Sequence, residues 1–234
     1  MIEYRRGRER GYADHGWLKS YHSFSFADYY DPQHVEFSDL RVINEDTVAP
    51  GQGFGTHSHK DMEIITYVLE GALEHKDSLG NGTIIHAGEV QRMSAGRGIR
   101  HSEFNPSLKT TAHFLQIWIQ PEINDIEPSY EQKPVEAEAL KNKWCLIASG
   151  HDEPKALLRV HQNMHMYASV LQAGSELTWI SLAHRKTYIH VIRGEVTVNG
   201  ELLQAGDALK VSGIRELDLK TSSQAECLLF DLRG

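Results

Sequence analysis

No apolar run approaches the roughly 20 residues that a helix needs to cross a bilayer, and the opening MIEYRRGRERGY lacks the apolar stretch of a secretion signal. A cytoplasmic location, away from membranes, is the expectation. Cysteine is nearly absent: Cys145 and Cys227 are the only two, each inside an apolar run (KWCLIA and ECLLFDL). A disulfide framework is thereby excluded, and both thiols read as small core residues rather than a redox pair. Positive charge is not in excess either. The formal net charge of -8 argues against a partner held by phosphate contacts, so no nucleic acid is expected. Arg5, Arg6, Arg8, Arg10 and, further on, Arg41 read as a solvated edge. Helix-forming composition is confined to PVEAEALKNK near 134–143, which predicts one connecting helix.

What the chain does have is strand pattern. LRVIN, MEIITYVLEG, TIIHAGEVQRM and HFLQIWIQ are followed by MYASVLQAG, ELTWISL, TYIHVIRGEVTVNG and ECLLFDL. These runs are rich in β-branched and aromatic residues and are broken by turn signals such as SLGNG and VNG. Tyr67–Gly71 (YVLEG) matches His190–Gly194 (HVIRG), and Ile85–Glu89 (IHAGE) matches Leu203–Asp207 (LQAGD). Between the matches the first half has five more residues, the length of a longer hairpin around SLGNG. The expectation is an all-β fold of two equivalent domains, residues 1–134 and 135–234, each closing its edges as an antiparallel barrel or jelly roll.

Histidine is abundant, 14 in 234 residues, so an HxH triplet arises about once by chance and proves nothing alone. Its company carries the signal: GQGFGTHSHKDME, an apolar strand, then a glycine-rich turn SAGRGIRHSEFN. Residues two apart on a strand face the same way, so His57 with His59, and His101 with Glu103, each present two side chains together. Two such strands lying close converge three imidazoles and a carboxylate on one point. That donor set suits a first-row divalent ion better than Ca²⁺ or Mg²⁺, which prefer oxygen. Four protein ligands on an octahedral ion leave two open positions, whereas a closed structural zinc site is tetrahedral and usually uses cysteine. Glu63 shares the strand parity of His57 and His59, and three readings stay open for it: a fifth ligand, an acceptor for an imidazole N–H, or a charged group at the strand edge. Gly96 and Gly98 let the loop turn tightly before His101. In the second half the repeat places Ile180 and Leu182 where His57 and His59 stand, and Lys186 where Glu63 stands, so that half is expected to hold no metal. His184 and His190, nearby, read as surface or packing residues.

GQGFGTHSHKDMEIITYVLEG and SAGRGIRHSEFN resemble the two cupin motifs in the form found in pirin-like proteins, and HGWLKSYHSFSFADYYDP is similar to that family's opening. The likeness runs through the chain and is specific over the first half. It departs from the general cupin pattern at Gly96, where a proline is usual. Glu103, between His101 and Asn105, carries the carboxylate that the general pattern places in the first motif, as pirins do. The resemblance implies two tandem cupin domains with one metal ion in the N-terminal domain, commonly iron as Fe(II), on His57, His59, His101 and Glu103. Zn, Ni, Cu, Mn and Co are compatible with the same donors. Pirin-like proteins of bacterial type resemble quercetinases, which implies a quercetin 2,3-dioxygenase reaction. A flavonol-like substrate would lose its 3-hydroxyl proton to Glu103 as catalytic base, oxygen from O2 would be added across the ring, and carbon monoxide would leave. Phe24, Phe26, Phe54 and Trp118 are candidates to line a pocket for a flat substrate, one or two of them in contact and the rest in the core. A monomer is expected, since two joined barrels already provide what single-barrel relatives reach by dimerising. The same ligands also suit two other readings: a regulatory binding protein whose metal oxidation state alters a partner surface, as the nuclear pirins suggest, and a different cupin reaction on another dihydroxy-aromatic compound.

Overall fold

A computed structural model of the chain describes residues 1–150 and 153–234, and nearly every regular element in it is a strand. Among the described residues no helix is long and apolar enough to cross a membrane. Two compact units form. One comprises Gly11–Pro134 with Leu158–Gln162; the other comprises Met1–Arg10, Val135–Leu157 and Asn163–Gly234.

In the first unit a seven-stranded antiparallel sheet runs in the order Ser129–Pro134, Glu89–Ser94, Glu63–Glu70, Ala112–Ile119, Leu40–Val48, Leu18–His22, Gly11–Asp14. A four-stranded sheet runs Gly53–His59, Ile99–Phe104, Ala72–Asp77, Gly82–His86. Leu18, Val48, Val68 and Phe114 of the larger sheet meet Leu73 and Ile85 of the smaller, so the two sheets close on a shared apolar core. Strand alternation decides which residues enter it: Leu18, Ser20 and His22 are buried while Lys19 and Tyr21 are exposed.

The second unit repeats this plan. One sheet runs Ile2–Arg5, Ala208–Ser212, Arg185–Arg193, Ala225–Arg233, His165–Leu171, Cys145–Ser149, and a four-stranded sheet runs Glu176–Ile180, Glu216–Lys220, Glu195–Val198, Glu201–Gln204. Ile189, Val191 and Leu229 pack against Val196, Leu217 and Leu219. Cys227 sits in this core, where burial pushes its thiol up to about 12, and Cys145 is half-buried; both are free thiols. Ile2–Arg5 pairs with Ala208–Ser212, and Asp207 then accepts from the Gly7 backbone N–H at 2.6 Å and from Arg6 Nη1 at 3.1 Å. The arginines therefore do more than decorate an edge. Arg5 is buried, Arg6 ties the N-terminal strand down, and Arg41 donates to the carbonyls of Ser25 and Val35.

The connecting helix is shorter than its composition predicts, a single turn at Ala137–Leu140. Glu136 caps nothing with its side chain, Lys141 is already extended, and Asn142 takes a φ of +52°, so both ends stop the helix after its one buried residue, Leu140.

The internal repeat has a steric reason at its glycines. Gly71 and Gly194 both turn at positive φ, +72° and +74°, and a Cβ there would stand 2.6 Å from Thr111 O and 2.2 Å from Gln224 O. Gly200, at +90°, has open space around it. Gly194→Ala is expected to cost roughly 2–4 kcal/mol, left-handed strain plus a backbone clash, against roughly 1–2 kcal/mol for Gly200→Ala, which carries the strain alone. Urea unfolding of both variants checks this; equal losses would show that the close approach is unimportant.

Candidate metal centre

Three neighbouring strands of the four-stranded sheet in the first unit assemble the site. Ile99–Phe104 lies in the middle, with His101 opposite His57 on one side and Asp77 on the other, and Glu103 opposite His75. Residues two apart share a face, so His57, His59, His101, Glu103, His75 and Asp77 project to the side on which Leu73 enters the core. The register with Gly53–His59 slips between His101 and Glu103, which puts Phe54 opposite Glu103 and re-aims that strand locally. The preceding loop needs its glycines: Gly96 and Gly98 adopt φ of +46° and +139°, and a Cβ on Gly96 would fall 2.1 Å from Ile126 O.

The ligand atoms of His57, His59 and His101 lie within 4.8 Å of one another, and so do those of His75, His101 and Glu103. The three imidazoles singled out in the sequence are thus gathered, whereas Glu103 groups with His101 and His75 and not with His57 and His59. His57 Nδ1 lies 2.8 Å from the carbonyl of Gly55, which can only accept, so Nδ1 carries the proton and the Nε2 lone pair faces His101 Nε2 at 3.0 Å. His59 Nε2 is buried without a hydrogen-bond partner. Leaving a buried polar atom unmatched costs about 1–3 kcal/mol, and a divalent cation accepting these lone pairs removes that cost. Burial, helped by the neighbouring imidazoles, pushes His59 down to about 4 and His101 to about 2, so both stay in the neutral form that ligates metals. The donor set therefore fits a first-row divalent ion.

Two carboxyls lie alongside. Burial, with Asp46 adding to it, pushes Glu103 up to about 8, and Gln116 Nε2 donates to both its oxygens at 3.3 and 3.2 Å. Burial pushes Asp46 up to about 7, against a hydrogen bond from Ser20 Oγ. Glu63, by contrast, belongs to another place. Its strand lies in the seven-stranded sheet, and the turn at Asp61, with φ of +47°, breaks the parity that linked it to His57 and His59. Its carboxyl is buried, accepts from Ser94 Oγ at 2.8 Å and faces His161 Nδ1 at 3.1 Å, an imidazole outside the cluster.

A cavity of about 690 Å³ opens onto His57, His59 and Glu103. Trp17, Phe26, Tyr29, Phe54 and Trp118 give it aromatic walls, and the edge of Trp118 meets His59 with centroids 5.0 Å apart. Phe24 does not line it; its ring is 1% exposed and packs in the interior. Facing the aromatics is a polar strip that the motifs did not reveal. Ser20 and His22 pair across strands with Asp46 and Asn44, and His22 Nδ1 lies 2.8 Å from Asn44 Oδ1. Strand alternation from Leu18 and Val48 marks these four positions as inward-facing, so polar residues at core parity were the available signal. The same signal, counted from Leu73, points to His75 and Asp77.

In the second unit Ile180 and Leu182 are more than half exposed, His184 is exposed and His190 is buried.

A family model described as Pirin matches residues 3–119, and one described as Quercetinase C-terminal cupin domain matches residues 146–232. The chain is 48% identical over 232 residues to a quercetin 2,3-dioxygenase of Escherichia coli strain K12, covering 99% of each sequence. It is 41% identical to a pirin-like protein of Caulobacter vibrioides, again covering 99% of each. Among solved structures it matches bacterial pirin YhhW in complex with nickel(II) from Escherichia coli with a TM-score of 0.95, at 47% identity and over 100% of both chains. The chain belongs to the pirin family and is built of two tandem cupin domains.

Proposed function

We propose that this protein is a metal-dependent dioxygenase that cleaves flavonols such as quercetin with O2, using one divalent transition ion, Fe(II), on His57, His59, His101 and Glu103. The observation that carries the reading is the aromatic-walled cavity opening onto Glu103 and onto His57 and His59 of the three-histidine cluster. The names of the full-length relatives support it.

When bound, the metal would supply a Lewis-acidic, redox-active centre on His57, His59, His101 and Glu103. The chain does the rest. Phe26, Phe54 and Trp118 offer flat faces and edges against which a planar polyphenol stacks, and they exclude water from the reacting ring. Gln116 holds the Glu103 carboxyl in place and is itself held by Trp118 Nε1, 3.4 Å from its side-chain oxygen. Glu103 in its ionised form takes the proton of the incoming 3-hydroxyl, and burial, which raises its affinity for protons, makes that carboxylate the stronger base. The polar strip of Ser20, His22, Asn44 and Asp46 receives the remaining hydroxyls of the substrate. In the overall reaction both oxygen atoms of O2 enter the product and one ring carbon leaves as carbon monoxide.

Protein reloaded with Fe(II) is expected to consume quercetin and oxygen in equal amounts, and His59→Ala to lose bound metal and turnover together. Undiminished turnover in that variant would remove the assignment. Glu103→Gln is expected to retain much of the metal while kcat falls about 10²–10⁴-fold, the usual contribution of a general base; proportional loss of metal and rate would make Glu103 a ligand only. The raised carboxyls also set a pH dependence for the metal-free protein. Above the ordinary imidazole range of about 6.5, where His59 and His101 are neutral both folded and unfolded, the folded state still holds protons on Asp46 and Glu103 that the unfolded chain has released, so stability falls as pH rises from there through about 7 to 8. Melting temperatures of chelator-treated protein should show this decline, and Asp46→Asn should flatten it.

A further inference from the structure

Behind His101, on the side away from His57, stand two side chains to which the proposed chemistry gives no task. His75 and Asp77 are both fully buried, with His75 Nε2 3.0 Å from Asp77 Oδ2, and His75 Nδ1 lies 3.4 Å from His101 Nδ1. Asp77 also accepts from the backbone N–H groups of Leu79 and Asn81 at 2.9 and 3.0 Å and from Asn81 Nδ2 at 2.8 Å. Burial acts to raise its affinity for protons, but these bonds and the one from His75 outweigh it and hold the carboxyl below the usual range. An ionised carboxylate can only accept, so His75 Nε2 must carry a proton. His101 turns its Nε2 towards His57 Nε2 at 3.0 Å, so as a ligand through Nε2 it keeps its proton on Nδ1, and His75 Nδ1 is the acceptor beside it. His101 Nε2 is left with a free lone pair aimed at the cluster.

We infer that Asp77 and His75 form a hydrogen-bonded relay that fixes the tautomer and ring orientation of His101, and so positions it for the metal. The inference rests on the reading of His101 as a ligand. His75 is not itself a ligand, although its ring nitrogens lie close to His101 and Glu103, because Asp77 occupies one and His101 the other. Tyr130 packs against the His75 ring, centroids 4.8 Å apart, and its hydroxyl is bonded to Thr83, which closes the remaining side. The second unit supplies a natural comparison. Counting from Gly71 and Gly194, the places of His75 and Asp77 are taken by Val198 and Gly200, in the same unit where Ile180 and Leu182 replace His57 and His59. Cluster and relay are present together or absent together. The longer hairpin of the first unit has a purpose in this scheme, since residues 78–81 are the loop that Asp77 caps.

The test uses Ni(II) binding to the full chain, measured by competition with a chelator, alongside ¹⁵N NMR of histidine-labelled, metal-free protein. Wild type is expected to bind one equivalent and His101→Ala to lose it; if neither holds, the ligand reading fails before the relay is in question. His75→Leu is expected to weaken Ni(II) binding about 10–100-fold, the usual effect of losing such a partner. His75→Asn, whose side-chain oxygen can still accept from His101 Nδ1, should stay within a few-fold of wild type. A folded His75→Leu protein with undiminished affinity overturns the relay. Should that variant fail to fold, the NMR of wild type decides: His101 protonated at Nδ1 supports the relay, and His101 protonated at Nε2 overturns it.

Discussion

The centre depends on keeping nitrogen lone pairs buried and unprotonated at one point inside a hydrophobic sandwich. An imidazole satisfies this only if its other nitrogen has somewhere to place a hydrogen, and the fold provides a different acceptor for His57 and for His101. His57 uses a carbonyl two residues back in its own strand, while His101 uses a histidine on the neighbouring one. His59 Nε2 has no such compensation, and the ion proposed for this site provides it. Polar groups that would be costly in an apolar core are gathered at that point, and burial is what holds His59 and His101 neutral.

Seen this way, the two cupin units are one scaffold used for two ends. Both close a small sheet over a large one, and both turn at a glycine pressed against a carbonyl oxygen. In the second unit the inner face of the small sheet carries Val196, Val198, Leu217 and Leu219, which need no partners beyond each other. In the first, Leu73 and Ile85 keep the apolar end of the same face, and His75, His101 and Glu103 occupy the rest. The cavity lies over that polar end, bounded by aromatic rings on some sides and by the Ser20, His22, Asn44 and Asp46 strip on another. A planar ligand bearing hydroxyl groups matches both kinds of wall.

Much of this was legible in the residues. Period-2 alternation located the strands, the duplicated YVLEG and HVIRG segments revealed two equivalent units, and the HxH and HxE spacings placed four side chains on matching faces. Where the reading failed, it had carried a local rule across a break in the chain. Glu63 has the right parity by number, yet the turn at Asp61 moves it into another sheet. PVEAEALKNK has helix-forming composition, but neither end is capped, and one turn is all that forms. Of the four aromatics offered for the pocket, with one or two expected in contact and the rest in the core, Phe26, Phe54 and Trp118 line the cavity and Phe24 lies in the core.

By itself, then, the sequence determined the strand-rich class, the twofold repeat and the identity of the three imidazoles, because each rests on spacing within one short segment. Tertiary structure alone decided which strands became neighbours. The register of Ile99–Phe104 against Ala72–Asp77 sets His75 and Asp77 behind His101, and the pairing of Leu18–His22 with Leu40–Val48 builds the polar wall. Those partnerships join residues far apart in the chain, and no local pattern encodes a distance that only the closing of two sheets creates.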